Sequence, residues 1–481
     1  MSKSRDYILL YINGKKTKIK DDLAFKSLSD FLRYEKQMVG TKIVCSEGDC
    51  GSCTVVHGKL ENDKLNYKIV NSCIKYMYQL DGTHIITVEG LKLNGCLNPI
   101  QESMVKNHGA QCGFCTPGFV VAMTAMFEDK NKLTQKDLKD GLNGNLCRCT
   151  GYESIIKSGM DVDASKLTYF DQMYEPQQII DDLKEIKQIP IFIETSEKKF
   201  FSPVDLKSAC EFKALNQGLT IISGGTDIGV QINKGMRDPN TIMSTSAIDS
   251  LKEISVKDEY LVIGARVTLS QIEAFASELY PAFYDILKWF GSPQIRNSGT
   301  LVGNIANGSP IADTTPFLFV MNAQVELSGI NGVRQVNIND FYKGYKSLDL
   351  NNDEIISKIS IPLLKDNQKL KLYKVSKRKD MDISTLTAAF LMDENQGKIE
   401  SIKIAFGGVG PTVIRLKKTE EFLNGKYLTE ENILQAGQIA RDEITPISDV
   451  RGSKDFRLKL SENIMKKFYF ECLEEEQVIC Q

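Results

Sequence analysis

Over the first ninety residues the apolar positions fall in short alternating runs. Residues 7–12 and 15–19 read as two strands, joined at Asn13-Gly14, a pair that tolerates positive φ at both turn positions. Residues 28–35 then predict a short helix. From about residue 98 to residue 166 the period changes from two to between three and four. That predicts helices over 101–108, 118–130, 135–143 and 152–161, broken by glycines and prolines. Residues 161–199 turn acidic and irregular, as in Asp181-Asp-Leu-Lys-Glu-Ile-Lys187, and read as a linker. From Phe201 short apolar runs alternate with helical stretches, an α+β arrangement. A last module begins near Asp366, with a strand over 402–406 before Gly407-Gly408 and helices over 430–442 and 454–470.

Composition narrows the class. A chain of 481 residues is too long for one core and predicts three or four domains. Hydrophobic residues make up 42% and charged residues 25%, with a formal net charge of -2. No basic field points to nucleic acid or an anionic membrane. The opening residues hold no apolar stretch suited to a signal peptide or a membrane span, so a cytoplasmic location is expected. There, clustered cysteines read as metal ligands rather than disulfides. Twelve cysteines occur, nine of them before residue 150. The only three histidines, His57, His84 and His108, lie in the same stretch. The remainder lacks the commonest general base, so its chemistry is expected to come from a cofactor.

Cys45, Cys50 and Cys53 stand in C-x4-C-x2-C, with Cys73 further on. This is the plant-type 2Fe-2S spacing, with three thiolates from one loop and a fourth from a later segment. Gly48 and Gly51 allow the loop to wrap and aim amides at the sulfurs. A structural zinc site usually pairs two C-x2-C knuckles, and only one is present. The second set is Cys112, Cys115, Cys147 and Cys149, C-x2-C followed by C-x-C. By itself it fits a cluster or zinc equally. Each of its pairs precedes a predicted helix, whose N-terminal amides stabilise an anionic group. Behind a ferredoxin-like segment the cluster reading gains weight.

The two motifs Gly109-Ala-Gln-Cys-Gly-Phe-Cys-Thr-Pro-Gly118 and Asn145-Leu-Cys-Arg-Cys-Thr-Gly-Tyr152 resemble the iron-sulfur part of the xanthine dehydrogenase family of molybdenum hydroxylases. The resemblance implies that all eight cysteines bind iron, as two 2Fe-2S clusters. It implies that Gln111 faces the molybdenum cofactor of an adjoining domain or subunit. Cys96, Cys210, Cys472 and Cys480 are expected to be inert thiols.

In the remainder, Ile221, Ile222, Ser223, Gly224, Gly225, Thr226, Asp227 and Ile228 form an apolar run entering a glycine turn. Such a turn offers amides to a pyrophosphate, though Gly-Gly alone is more often just a tight turn. A second loop, from Thr300 to Asp313, gathers small hydroxyl, amide and glycine residues. Together the two loops resemble the flavin domain of the same family. By that resemblance Ile221 to Ile228, with Thr300, Leu301, Val302, Gly303 and Asn304, hold the FAD phosphates. Asp313 matches an acidic flavin-binding position and Phe290 an aromatic beside the flavin. Ile356 and Lys374 match later flavin contacts. Val302 stands where the family often has glycine, so a left-handed backbone there would be strained. Neither loop holds a histidine or cysteine, so FAD is expected to bind noncovalently.

The implied fold is α+β and multidomain. It comprises a β-grasp 2Fe-2S ferredoxin-like domain (1–90), a four-helix 2Fe-2S domain (91–165) and a linker (166–198). A vanillyl-alcohol-oxidase-type α+β FAD domain (199–365) and a C-terminal α+β flavoprotein domain (366–481) follow. No segment is left for a molybdenum domain, so a molybdopterin-binding large subunit is expected as partner, in a dimer of heterodimers. The chain is thus similar to the iron-sulfur and FAD subunit of bacterial two-subunit xanthine dehydrogenases. The implied route runs from molybdenum through the helical-domain cluster, the ferredoxin-like cluster and FAD to NAD, as hypoxanthine and xanthine are oxidised to urate. A sister enzyme acting on an aldehyde or another N-heterocycle would use the same parts. So would a stand-alone iron-sulfur flavoprotein diaphorase. A redox sensor would leave the flavin loops unexplained.

Overall fold

The computed structural model describes residues 4–92 and 95–479. They form two compact units. One is Met1–Ser250 with Gly291–Gly299, and the other is Leu251–Phe290 with Thr300–Gln481.

The first unit opens on strands β1 (Ile8–Ile12) and β2 (Lys15–Ile19), an antiparallel hairpin whose turn residues Asn13 and Gly14 have φ of 47° and 74°. Both turn positions are left-handed, as the Asn-Gly pair predicts. A helical turn α1 (Leu28–Asp30), capped by the Ser27 hydroxyl, runs on as a wider turn over Phe31–Glu35. Strands β3 (Thr54–Glu61), β4 (Lys64–Asn71) and β5 (Thr83–Ile86) complete a five-stranded sheet in the order β2-β1-β5-β3-β4. Only the β1–β5 pair is parallel. Ile8, Leu10, Ile12, Phe31, Leu32, Val55 and Val70 fill the core on one face.

Four helices follow, α2 (Pro99–Lys106), α3 (Thr116–Asp129), α4 (Gln135–Gly141) and α5 (Glu153–Met160). Each lies within about a turn of its predicted bounds, because local signals mark its start. Asn98 and Gln101 cap α2 reciprocally, Pro117 sits in the first turn of α3, and Thr134 caps α4. Helix α3 is buried nearly all round, with Phe119, Val120, Val121, Ala122 and Met123 in one core with Val56, Ile69 and Ile86 of the sheet.

The stretch read as an irregular linker is ordered. It contains α6 (Phe170–Met173) and α7 (Pro176–Ile186). Its charges conceal a helical period: Ile179, Leu183 and Ile186 pack on Leu9 and Tyr11 of β1. Asp182 meets the Tyr11 hydroxyl and lies 2.6 Å from the Lys16 ammonium. After it, strands β6 (Ile191–Glu194), β7 (Lys199–Ser202), β8 (Thr220–Ile222) and β9 (Thr241–Ser244) form a sheet ordered β6-β7-β9-β8. Helices α8 (Leu206–Leu215) and α9 (Thr226–Asn233) make its crossovers, with β7 and β8 both parallel to β9.

The second unit starts with β10 (Ile254–Lys257) and β11 (Tyr260–Gly264), then α10 (Leu269–Leu279) and α11 (Pro281–Lys288). Residues 291–299, with α12 (Pro293–Arg296), belong to the first unit. The second unit resumes with α13 (Leu301–Asn307), α14 (Thr315–Val320), β12 (Gln324–Gly329), β13 (Gly332–Asn337) and α15 (Ile338–Phe341). A small pair, β14 (Tyr342–Gly344) and β15 (Ser347–Leu348), precedes β16 (Ile355–Pro362). One antiparallel sheet runs β10-β11-β16-β12-β13. Another is β17 (Gln368–Val375), β18 (Leu386–Asn395), β19 (Lys398–Gly407) and β20 (Ile414–Arg415). It packs on α16 (Lys417–Leu423), α17 (Glu430–Glu443) and α18 (Lys454–Ile479) around Phe390, Phe406, Met465 and Phe468. Among the described residues no helix is long and apolar enough to cross a membrane.

Candidate functional site

Cys45, Cys50 and Cys53 lie on the loop between α1 and β3, and Cys73 follows β4. The loop curls tightly, since Ser46, Gly48 and Gly51 have φ of 56°, 78° and 67°. The curl turns amides inward: the Glu47 and Cys50 N–H groups donate to Cys45 Sγ at 3.4 and 3.5 Å. Cys45 lies within hydrogen-bond reach of Cys50 and Cys73, and Cys53 within reach of Cys73. The bonds that Cys45 takes from Cys50 and Cys73, with those two amides, hold its thiol well below the ordinary range. Cys53 and Cys73 are buried.

The second set assembles from two loops ahead of helices. Cys112 and Cys149 stand 3.6 Å apart, and Cys115 is bonded to Cys147. Burial, then that bond, pushes the Cys115 thiol up to about 12. Gly113, Gly151 and Tyr152 are left-handed, with φ of 78°, 67° and 71°. For tyrosine that conformation is unusual, and it brings the Tyr152 hydroxyl 3.0 Å from the Cys147 N–H, which donates to it. Thr150 donates to Cys147 Sγ at 3.2 Å.

Among the described residues no three His, Cys, Asp or Glu side chains converge on one point as a single metal ion requires. The first set meets as a chain, Cys50 to Cys45 to Cys73 to Cys53, and the second as the pairs Cys112–Cys149 and Cys115–Cys147. A two-iron cluster takes two thiolates on each iron, whereas a structural zinc takes four ligands around one centre. Two sets of four thiols supply the four thiolates that each of two 2Fe-2S clusters takes. The two loops also touch. Leu146 N–H donates to the Cys50 carbonyl at 2.9 Å, and Asn145 Nδ2 to the Gly51 carbonyl at 3.0 Å. A Cβ on Gly118 would come within 2.2 Å of that same carbonyl, so glycine permits the approach.

Ile221 to Ile228 also lie in the first unit. Strand β8 leads through Gly224 and the left-handed Gly225 (φ 73°) into α9, whose first turn has no side-chain cap. Its amides are available to an anion. The far end of α9 reaches the first cysteine loop. Asn233 Nδ2 donates to the Ser46 and Cys73 carbonyls, both at 2.9 Å, and Oδ1 accepts from the Tyr76 hydroxyl at 2.9 Å.

The other flavin candidates lie in the second unit. Thr300 caps α13, its hydroxyl accepting from Gly303 N–H at 3.0 Å. Val302 is buried within that helix and is not left-handed, so the strain considered for it does not arise. The Thr314 hydroxyl donates to Asn304 Oδ1 at 2.6 Å. Asp313 is buried. It takes one bond from Lys374 Nζ (2.7 Å) and one from the Ser384 hydroxyl (2.5 Å). Lys374 Nζ also donates to the Trp289 carbonyl at 3.2 Å. The pairing of Asp313 with Lys374, 61 residues apart, connects two positions that the sequence supplied separately. Ile356 is buried in β16, paired with Leu327, and Phe290 is half-buried.

Gln111 is exposed, and no hydrogen bond of its side chain is found among the described residues. Cys96 is exposed, Cys210 and Cys472 are buried, and Cys480 lies outside the described residues. Sequence reasoning did not single out Asn233 or Ser384. The available signal was that Asn233 ends the helix after the glycine turn; nothing in the local sequence marks Ser384.

Three segments match known family models. Residues 87–160 match the [2Fe-2S] binding domain, 195–364 the FAD binding domain in molybdopterin dehydrogenase, and 371–472 the CO dehydrogenase flavoprotein C-terminal domain. Over 541 residues the chain is 28% identical to xanthine dehydrogenase 1 of Arabidopsis thaliana, covering 96% of this chain and 39% of that one. Aldehyde oxidase 1 of Bos taurus is 29% identical over 524 residues, with 96% and 39% covered. The chain thus spans about two fifths of the length of the curated relatives it matches. Among solved structures, a carbon monoxide dehydrogenase of Hydrogenophaga pseudoflava superposes with a TM-score of 0.55 at 24% identity, over 57% of this chain and 96% of that one. Quinoline 2-oxidoreductase of Pseudomonas putida 86 gives 0.53 at 25%, over 56% and 94%.

Proposed function

Starting from a chain that carries a 2Fe-2S domain and an FAD-binding domain, and that is homologous over nearly its whole length to xanthine dehydrogenases and aldehyde oxidases, we propose that it is the electron-transfer part of a molybdenum hydroxylase of xanthine dehydrogenase type. The observation that carries this reading is the convergence of eight thiols in two sets of four whose loops touch.

The clusters would pass electrons singly, and FAD would collect two and return them as a hydride to NAD. The exposure of the thiols supports this order. Cys112 and Cys149 are exposed, which suits entry from a molybdopterin-binding partner, with Gln111 reaching toward the pterin. Cys53 and Cys73 are buried, which suits an internal relay in a β-grasp ferredoxin-like domain. Helix α9 links that loop to the glycine turn, where Ile221 to Ile228 would hold FAD phosphate. Within the second unit, Thr300 to Asn304, Asp313 held by Lys374 and Ser384, Phe290 and Ile356 would be the flavin-binding positions that the resemblance implies. In this reading the assembly is a cytoplasmic dimer of heterodimers oxidising hypoxanthine and xanthine to urate.

Aldehyde oxidase 1 of Bos taurus matches as well as the xanthine dehydrogenases, so the deciding experiment compares substrates. The chain, purified anaerobically with whatever subunit accompanies it, is analysed for iron, sulfide, flavin and molybdopterin. It is then assayed with NAD on purines and on aldehydes. Turnover of purines alone supports the xanthine dehydrogenase reading. Turnover of aldehydes alone replaces it with the sister activity. Diaphorase activity without a molybdopterin subunit overturns the electron-transfer partnership.

A further inference from the structure

Residues 291–299 run between Phe290 and Thr300, two positions that the resemblance assigns to the flavin. Yet they pack in the first unit. Gln294 is 1% exposed, and its Nε2 donates to Asn145 Oδ1 at 2.9 Å and to the Thr54 hydroxyl at 3.1 Å. Thr54 directly follows the ligand Cys53, and Asn145 precedes Cys147 by two residues. The amide orientations are determined in series. Asn145 Nδ2 donates to the Gly51 carbonyl, so its Oδ1 must accept, and Gln294 must present its nitrogen. The next residue, Ile295, packs against Cys53, Cys73 and Ile74. At the end of the segment, the Ser298 carbonyl lies where a Cβ on Gly224 would come within 2.1 Å.

One short segment thus touches the first cysteine loop, the second cysteine loop and the glycine turn. We propose that residues 291–299 form a strut that sets the spacing of the two cluster loops and the glycine turn, with Gln294 as its positioning residue. The inference rests on the reading that both cysteine sets hold clusters. Its physical basis is that a buried amide bonded at both donors has one low-energy placement, and electron transfer between fixed centres depends on their separation. Gln294 would touch no cofactor itself and would act through Asn145 and Thr54.

The test is electron paramagnetic resonance of the full chain, reduced with dithionite at low temperature. Two reduced clusters at a fixed short distance split each other's signals, and the splitting falls with the cube of the distance. Gln294→Ala should retain the iron content and both cluster signals but lose the resolved splitting. Gln294→Met keeps the volume without the donors and decides the matter if the alanine variant fails to fold. Loss of the splitting in either variant, with both signals intact, supports the strut. An unchanged splitting in the folded variants overturns it. So does an unsplit spectrum of the unaltered chain, or loss of a cluster in every variant that folds, which would assign the segment to cluster assembly. Failure of both variants to fold would make Gln294 a stability residue and would also overturn it. Absence of both signals from the unaltered chain would instead sink the cluster reading beneath the proposal.

Discussion

In the first cysteine loop the ligands are turned inward. Cys53 and Cys73 are buried, and backbone amides from the same loop reach Cys45. In the second, Cys112 and Cys149 lie at the surface, and bracing comes from side chains, Thr150 and Tyr152. The first loop closes over Cys53 and Cys73 and leaves Cys45 and Cys50 half-buried. The second is open at one edge, where a redox partner can approach. Two sets with the same number of thiols thus differ in exposure, which is what the proposed inner and outer roles rest on.

The largest effect should separate the loops directly. Cys73→Ser should remove one cluster, about two of four irons, and also lower the unfolding midpoint, because its site is buried in the sheet domain. Cys149→Ser should remove the other signal with little change in stability. Equal destabilisation by both, measured by urea unfolding alongside iron content, would erase the distinction between an inner and an outer loop.

A control lies outside both loops. Asp313→Ala leaves Lys374, only 3% exposed, as a buried cation without its carboxylate. Breaking such a pair by removing one partner costs about 3–5 kcal/mol. The variant should lose FAD, read by released flavin absorbance, while iron content stays constant. Loss of iron in step with flavin would show that the two cofactor regions do not load independently.

Two titrations should sharpen the comparison between the sheet domain and the helical domain, since their pH slopes have opposite sign. His84 is fully buried in the sheet domain. Gly14 N–H donates to its Nε2 at 3.1 Å, so Nδ1 carries the proton and donates to the Tyr67 hydroxyl at 3.0 Å. Burial pushes its pKa down to about 4. Between about 4 and 6.5 the unfolded chain binds the proton and the folded chain does not, so stability rises with pH across that window. The whole span corresponds to about 3 kcal/mol. In His84→Gln the urea midpoint should vary less between pH 4 and 6.5. An unaltered slope would mean that His84 is protonated in the fold.

The smallest effect concerns Glu128, in the last turn of α3, which accepts from Phe170 N–H at 3.0 Å. Burial raises its pKa to about 7. Here the folded state holds the proton between about 4.5 and 7, so stability falls as pH rises through that window. Solvent screening at this half-buried carboxyl keeps the effect modest. Glu128→Gln should weaken the decline in the helical domain's melting signal toward pH 7. A steeper decline in the variant would contradict the assignment.

Helix existence was legible where capping and period agreed. The predicted helices stand close to the observed ones, whose starts the structure caps at Asn98 and Thr134 and places at Pro117. Helix α7 was missed because Asp181, Asp182, Lys184 and Glu185 dominate its composition, while the spacing of Ile179, Leu183 and Ile186 carries the structural information. The two cysteine sets that the structure brings together were legible because their members stand at short loop spacings, which a linear sequence displays.

The sequence by itself determined the eight thiols, their division into two sets, and the glycine turn, since these depend on residue type and local spacing. Only the tertiary structure decided which thiols are buried, that the two loops share a contact at Gly51 and Asn145, and that Gln294 joins them. It also paired Asp313 with Lys374 and Ser384. The physical reason is the same in each case. Burial and a hydrogen bond between distant residues depend on where the backbone folds back, and no local pattern along the chain encodes a partner 61 or 149 positions away.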